Sequence, residues 1–253
     1  MSETVLFVHG AAGDARIWQP VIAALDAGMQ GTALTLTYFG SEPWPDDGRN
    51  FGTAIHAADI QAAARAAEGP VHLVSWSYGV HPALAAVLDQ PGLFASALFF
   101  EGALPHYFRE KAQRAAYFQS WQELFSPVVA AIENGGGKAG IEALLGKAAS
   151  FMNAERIAIY RENAAMMPLL FGKGQEPAPI GPTELATIAL PCCVALGADT
   201  HPTFALPTRA LATAIPGAKL LEIAKAHHFM PEFEPVRFAQ MVSDWVNEVS
   251  ARG

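Results

Sequence analysis

Val71-His72-Leu73-Val74-Ser75-Trp76-Ser77-Tyr78-Gly79 is the stretch that decides how this chain folds. An apolar, strand-like run passes through a small-x-Ser-x-Gly pentapeptide and enters a helical pattern with no loop between them. A turn that sharp lifts the Ser77 hydroxyl above the sheet edge. Strand and helix then approach so closely that the positions two before and two after the serine must be small. Ser75 and Gly79 meet that demand, with serine where glycine is usual. The helix starts beneath Ser77, so its backbone N–H groups and dipole favour negative charge there. Taken alone, a serine at a strand-to-helix turn is equally well a helix cap.

Outward from the turn, short apolar runs alternate with longer helical patterns. Strands are expected near Thr4–Val8, Thr32–Tyr38, Val71–Ser75, Ala95–Phe100, Cys192–Leu196 and Lys219–Ile223. Helices are expected near Ile17–Asp26, Phe51–Glu68, Tyr78–Leu88 and Pro235–Ser250. Connections this long between strands imply an α/β fold, a mainly parallel sheet of at least six strands with helices on both faces. From Leu104 to about Gly174 the strand signal disappears. That segment reads as helical, clearest at Arg109–Phe125 and Ile141–Met167, and is broken at Asn134-Gly135-Gly136-Gly137. Pro177-Ala178-Pro179 then leads back to the sheet. The expected division is a core of residues 1–103 and 176–253 carrying a helical cap, or lid, of residues 104–175. An insertion at the carboxyl end of a strand sits where open α/β sheets bind ligands.

Composition narrows the function classes. The chain has 253 residues, 51% apolar and 16% charged, enough for one core with an inserted subdomain and too apolar for a disordered chain. Its 16 basic and 24 acidic residues leave a formal charge of −8, which disfavours a phosphate-backbone partner. No apolar run approaches the ~18 residues of a membrane span, and the first strand begins without signal-peptide features. Cys192 and Cys193 are adjacent on an apolar strand, unsuited to a disulfide framework, so a cytoplasmic setting is expected. The partner expected is a small-molecule substrate, with neither nucleic acid nor membrane; a homo-oligomer stays open. Residues 104–175 carry a small positive excess over an acidic remainder, which raises a carboxylate-bearing substrate beneath Arg109, Arg114 or Arg161.

A serine hydroxyl becomes a nucleophile only when a base takes its proton and a third group orients the base. On this architecture the chain order is serine, acid, histidine. Asp199, in Leu196-Gly197-Ala198-Asp199-Thr200, follows the fifth strand. His228, in Ala226-His227-His228-Phe229, follows the last. Ser77, Asp199 and His228 are therefore the expected catalytic set. His9-Gly10-Ala11-Ala12-Gly13 follows the first strand, where small residues let backbone N–H groups approach a developing alkoxide. The amides of Ala11 and Tyr78 are assigned to that oxyanion hole. Trp76, Tyr107, Phe108, Met166, Met167 and Phe229, with His9 and Glu101, are expected to shape the substrate pocket. Neither an HExxH pair nor a convergent His/Cys cluster occurs, so no metal or other cofactor is expected.

Phe7-Val8-His9-Gly10, Ser75-Trp76-Ser77-Tyr78-Gly79, Leu196-Gly197-Ala198-Asp199 and Ala226-His227-His228 through Pro235 together resemble the α/β-hydrolase superfamily in its compact form with a helical cap. Trp18 and the excursion at Tyr38-Phe39-Gly40-Ser41 fit the same pattern, and the likeness covers nearly the whole chain. It implies that the base precedes a proline by seven residues and an aromatic by ten, which selects His228 with Pro235 and Phe238 over His227. It also makes Glu101 a rival acid, since some relatives carry theirs after the fourth strand. Dehalogenases and epoxide hydrolases of this fold use an aspartate nucleophile, so Ser77 argues against both. The expected function is a cofactor-independent serine hydrolase forming an acyl-enzyme on an ester, thioester or C–C bond of a small, largely apolar substrate. Lyase or perhydrolase chemistry on the same residues, and a ligand-binding receptor that retains them, are the alternatives.

Overall fold

Alternation along the strands builds the core of this computed structural model, which describes residues 2–252. Strands β1 (Glu3–Val8), β2 (Met29–Leu34), β3 (Val71–Trp76), β4 (Phe94–Phe100), β5 (Cys192–Gly197) and β6 (Lys219–Ile223) form one sheet in the order β2-β1-β3-β4-β5-β6. Every neighbouring pair is parallel. Successive side chains point to opposite faces. Leu6, Val8, Leu73, Phe99 and Val194 face one apolar layer, whereas Val5, Phe7, Val74, Trp76, Phe100 and Ala195 face the other. Cys192 and Cys193 accordingly fall on opposite faces as free, buried thiols, pushed up to about 12 by burial.

Helices α1 (Gln19–Ile22), α2 (Thr53–Ala66), α3 (Val80–Asp89), α4 (Lys111–Leu145), α5 (Ala154–Glu162), α6 (Pro182–Leu185), α7 (Pro202–Ala214), α8 (Met230–Phe233) and α9 (Pro235–Ser250) complete the chain. Residues of α2, α3 and α7 cover the Leu6 face, and Val21 of α1 and Phe238, Val242 and Trp245 of α9 cover the other. Between β4 and β5 the chain leaves the sheet for α4 and α5. The glycine run bends α4 at Gly136, whose φ of 70° a side-chain-bearing residue rarely adopts. None of the described helices is long and apolar enough to cross a membrane.

Several elements differ from the sequence reading; the helix expected at Ile17–Asp26, for one, is α-helical only over Gln19–Ile22. β2 ends at Leu34 rather than Tyr38. Beyond it the Leu36 N–H donates to His9 Nε2 and the Thr37 N–H to Asp59, so these groups leave the ladder. The helical stretch at 141–167 is interrupted by a short 3-10 segment, and Asn153 caps a new helix by accepting the Arg156 N–H. Helix α7, unforeseen, carries Pro202 and Pro207. Pro202 opens the helix, where a missing N–H has no intrahelical partner to lose, whereas Pro207 lies inside it and forgoes the bond to the Thr203 carbonyl.

Candidate active site

The turn after β3 is tight for a steric reason. Ser77 has a φ of 55°, a left-handed conformation that costs a non-glycine residue about 1–3 kcal/mol. A Cβ at Gly79 would lie 2.5 Å from the His9 carbonyl oxygen and 2.9 Å from Val8 Cγ1. Glycine at 79 thus lets the turn settle against the end of β1. A Cβ at Gly10 would lie 3.0 Å from Ser77 Cβ, so the loop after β1 packs on the serine itself.

Two buried histidines brace this corner. The His9 Nδ1–H donates to the Gly10 carbonyl (2.9 Å), and Nε2 accepts from the Leu36 N–H (3.1 Å). Both nitrogens are used by one neutral tautomer, and burial pushes the ring down to about 4. His9 therefore holds the glycine-rich loop in shape and, contrary to the sequence expectation, does not line the pocket. The Tyr78 hydroxyl donates to His56 Nδ1 (2.7 Å), while His56 Nε2–H donates to the Thr37 carbonyl (2.9 Å). Burial drives His56 to about 4 and raises the Tyr78 phenol far above its ordinary value.

His228 lies on the loop between β6 and α8. Its Nε2 accepts from Ser77 Oγ at 3.0 Å, and its Nδ1–H donates to Glu101 Oε2 at 2.7 Å. The ring stacks flat on Phe204 of α7, with centroids 3.5 Å apart and planes 9° from parallel. His227 is exposed, and its Nδ1 accepts the Phe229 N–H.

The acid beside His228 is Glu101, which corrects the assignment of that position to Asp199. Glu101 is fully buried. Its Oε1 accepts the Gly197 N–H (2.8 Å), and Oε2 accepts the Thr200 hydroxyl (2.7 Å) as well as the imidazole. The Asp199 side chain is exposed, and its backbone N–H donates to the Ala226 carbonyl. Register explains the exchange. Phe100 pairs with Ala195, and the Glu101 N–H donates to the Ala195 carbonyl, so Glu101 sits level with the end of β5. The histidine loop crosses directly over Gly197, where a Cβ would overlap Ala226. His228 is thereby carried inward, past Asp199, to Glu101.

Ser77 and His228 open onto a cavity of about 720 Å³ walled by such residues as Phe51, Trp121, Phe125, Leu170, Phe171 and Phe204. Ala11 and Tyr78 also line it. Of the expected pocket residues, Trp76 and Phe229 line this space. Glu101 lies behind His228. The Tyr107 hydroxyl donates to His81 Nδ1, Phe108 packs on Tyr117, and Met166 and Met167 are sealed in the interior of the inserted segment. Apolar character alone did not tell which face of each helix meets the cavity. Phe125, Leu170 and Phe204 were missed for the same reason.

Glu176 is the one acidic side chain among the described lining residues, and no lysine or arginine lines the cavity. Arg161 pairs with Glu142, Arg114 donates to the Phe108 carbonyl, and Arg109 is exposed. The expectation of a carboxylate-bearing substrate held by these arginines is therefore withdrawn. Among the described residues no group of three or more His, Cys, Asp or Glu could hold a metal ion.

The chain belongs to the alpha/beta hydrolase family, whose model matches residues 5–241. Similar solved structures include an esterase, RhEst1, from Rhodococcus sp. It is 18% identical with a TM-score of 0.76, over 98% of this chain and 91% of the other. A thermophilic esterase from Thermogutta terrifontis is 19% identical with a TM-score of 0.72, over 98% and 91%. The haloalkane dehalogenase DbeA from Bradyrhizobium elkani is 18% identical with a TM-score of 0.71, over 100% and 92%. At these identities the likeness is one of fold. No curated protein matches the chain in sequence.

Proposed function

We propose that this alpha/beta hydrolase is a serine carboxylesterase acting through an acyl-enzyme on Ser77, on esters with a largely apolar, uncharged acyl group. The observation that carries the reading is the chain of contacts from Ser77 Oγ to His228 Nε2 and from Nδ1 to Glu101, opening onto an apolar cavity. His228 takes the Ser77 proton as Oγ attacks the ester carbonyl carbon. Glu101 holds the proton on Nδ1, leaving Nε2 free to accept, and stabilises the imidazolium. The Ala11 and Tyr78 amides hold the oxyanion; one such donor typically supplies ~3 kcal/mol of transition-state stabilisation. His228 then gives its proton to the departing alkoxide. Water, activated by the same nitrogen, cleaves the acyl-serine ester, and the acid leaves. Residues 104–175 serve as the cap that closes the cavity over the acyl chain and keeps out bulk water.

Halide displacement, the activity named for DbeA, does not suit this nucleophile. A carboxylate attacking an alkyl halide gives an ester that water can open, whereas a serine hydroxyl would give an inert ether. The test is turnover of p-nitrophenyl butyrate and labelling by a fluorophosphonate. Ser77→Ala should abolish both. Undiminished turnover in that variant would remove Ser77 as the nucleophile, and a lasting adduct on the unaltered protein without turnover would favour a receptor.

A further inference from the structure

We propose that His201 is a substrate-recognising residue, donating from Nε2–H to a neutral hydrogen-bond acceptor, a ketone, amide or ether oxygen, on the otherwise apolar acyl group. The inference rests on the esterase reading and names the substrate class for the same site.

The tautomer follows from the surroundings of the ring. His201 precedes α7 and caps it, with Nδ1 accepting the Thr203 N–H at 3.3 Å. The Thr203 hydroxyl lies 3.0 Å from the same nitrogen and that of Ser120, from α4, at 3.4 Å; the two hydroxyls are themselves 2.8 Å apart. A backbone N–H can only donate, so Nδ1 carries the lone pair and the proton of the neutral ring sits on Nε2. Among the described residues nothing accepts from Nε2, nor is it one of the sealed polar atoms left without a partner. His201 lines the cavity.

Its position is tied to the reacting groups. The Phe204 N–H donates to the His201 carbonyl (2.9 Å), and the Phe204 ring stacks on His228. The donor therefore stands one helical turn from the aromatic plate that faces the base. Phe125 and Phe204, in edge contact at 6.2 Å, make the neighbouring wall apolar. A donor beside that wall discriminates, because a substrate that cannot accept its proton leaves it unpaired; the amides of Gln122 and Gln175 also line the cavity. With no lysine or arginine on the wall and Glu176 on the rim, the acceptor is neutral. The other cavity histidines differ. His81 uses both nitrogens, on the Tyr107 hydroxyl and the Ala178 carbonyl, and His227 is exposed, where water competes.

The experiment compares p-nitrophenyl 5-oxohexanoate with its 5-methylene isostere, in which CH2 replaces the ketone oxygen. The unaltered protein should prefer the ketone by roughly tenfold in kcat/KM. His201→Phe removes the donor. His201→Asn keeps an acceptor for the Thr203 N–H but is too short to reach the cavity, which separates recognition from helix capping. Both variants should lose the preference, their ketone-to-methylene ratio in kcat/KM falling to near one. A ratio near one in the unaltered protein, or a ratio unchanged in the variants, overturns the proposal. Binding of the N-methyl amides of the two acids, followed by the fluorescence of Trp76 and Trp121, reads the same ratio without turnover. A lost ketone preference in this titration supports the role of His201 even if Ser77→Ala proves that the esterase reading fails; no preference there sinks it.

Discussion

Glu101→Gln and Asp199→Asn are near-isosteric changes of two acids that compete for one role, and the structure sets their outcomes apart. In Glu101→Gln the side chain keeps its place but has one oxygen and one NH2. If the oxygen stays on the Gly197 N–H, the NH2 faces His228 and makes Nδ1 an acceptor. The imidazole proton then moves to Nε2, which points a donor at Ser77 and cannot take its proton. An acid-to-amide change of this kind in a protease triad lowers kcat about 10⁴-fold, or about 5.4 kcal/mol. If the amide flips, Nδ1–H is served but the NH2 meets the Gly197 N–H. Two buried donors without acceptors cost about 1–3 kcal/mol each, leaving the competent arrangement about 30- to 10⁴-fold depleted. Between them the two routes give a fall in kcat of about 30- to 10⁴-fold. Asp199 offers a solvent-exposed carboxyl, and its Ala226 contact uses only the backbone. Asp199→Asn should stay within about twofold of the unaltered protein. The assay is kcat on p-nitrophenyl butyrate with the acyl-enzyme burst recorded. A large loss in Asp199→Asn, or a Glu101→Gln protein keeping a third of its activity, would refute the assignment.

The inserted segment is pinned to the core by Arg156, whose guanidinium bonds Glu232 (2.6 Å) and the Arg16 and Ile17 carbonyls. Glu232 also accepts from the Tyr160 hydroxyl, and its side chain is 2% exposed. Arg156→Met leaves that carboxyl buried beside an unpaired pocket and should lower unfolding stability by about 3–5 kcal/mol in urea, with Arg156→Met/Glu232→Met recovering much of it. An unchanged midpoint in the single variant would show that the pair is dispensable. Stability should also fall in acid. Burial holds His9, His56 and His81 down to about 4, against ~6.5 in the unfolded chain. Above 6.5 both states are neutral; between 6.5 and 4 the unfolded chain alone binds protons, so stability is lost as pH falls through that window and levels off below 4. By pH 5 the loss is about 2 kcal/mol per histidine, about 6 in all. Equal urea midpoints at pH 7 and pH 5 would contradict this.

What could be read from the residues in order was whatever local sterics dictate. The turn at Ser77 demands a small residue at 79, and Gly79 declares itself. Helix α9 shows its apolar stripe over the whole span Pro235–Ser250. The acid was not legible in the same way, because Asp199 and Glu101 both follow a strand and the choice between them depends on the register of β4 against β5 and on the path of the loop over Gly197. Neither is a property of a short stretch. The pocket lining was harder still. Met166, Met167 and Phe108 have the composition of a cavity wall and lie inside the fold, since an apolar side chain next to an apolar cavity looks like one in the core.

Backbone strain points where the composition could not. Among the described residues, the non-glycine positions with positive φ are Ala12, Tyr38, Ser77, Glu101 and Lys225. They follow β1, β2, β3, β4 and β6, all at the carboxyl edge of the sheet. Each is worth about 1–3 kcal/mol of strain, so each persists only where its surroundings over-determine it. For Ser77 the constraint is the close approach of Gly10 and Gly79 to neighbouring residues; for Glu101 it is three donors converging on one carboxyl group. Glycine would relieve the strain at both positions but would remove the hydroxyl and the acid. At Ser77 and Glu101 the side chain kept at this geometry is one the proposed site uses, and the two bracket His228, whereas Ala12, Tyr38 and Lys225 share the conformation without contacting that histidine.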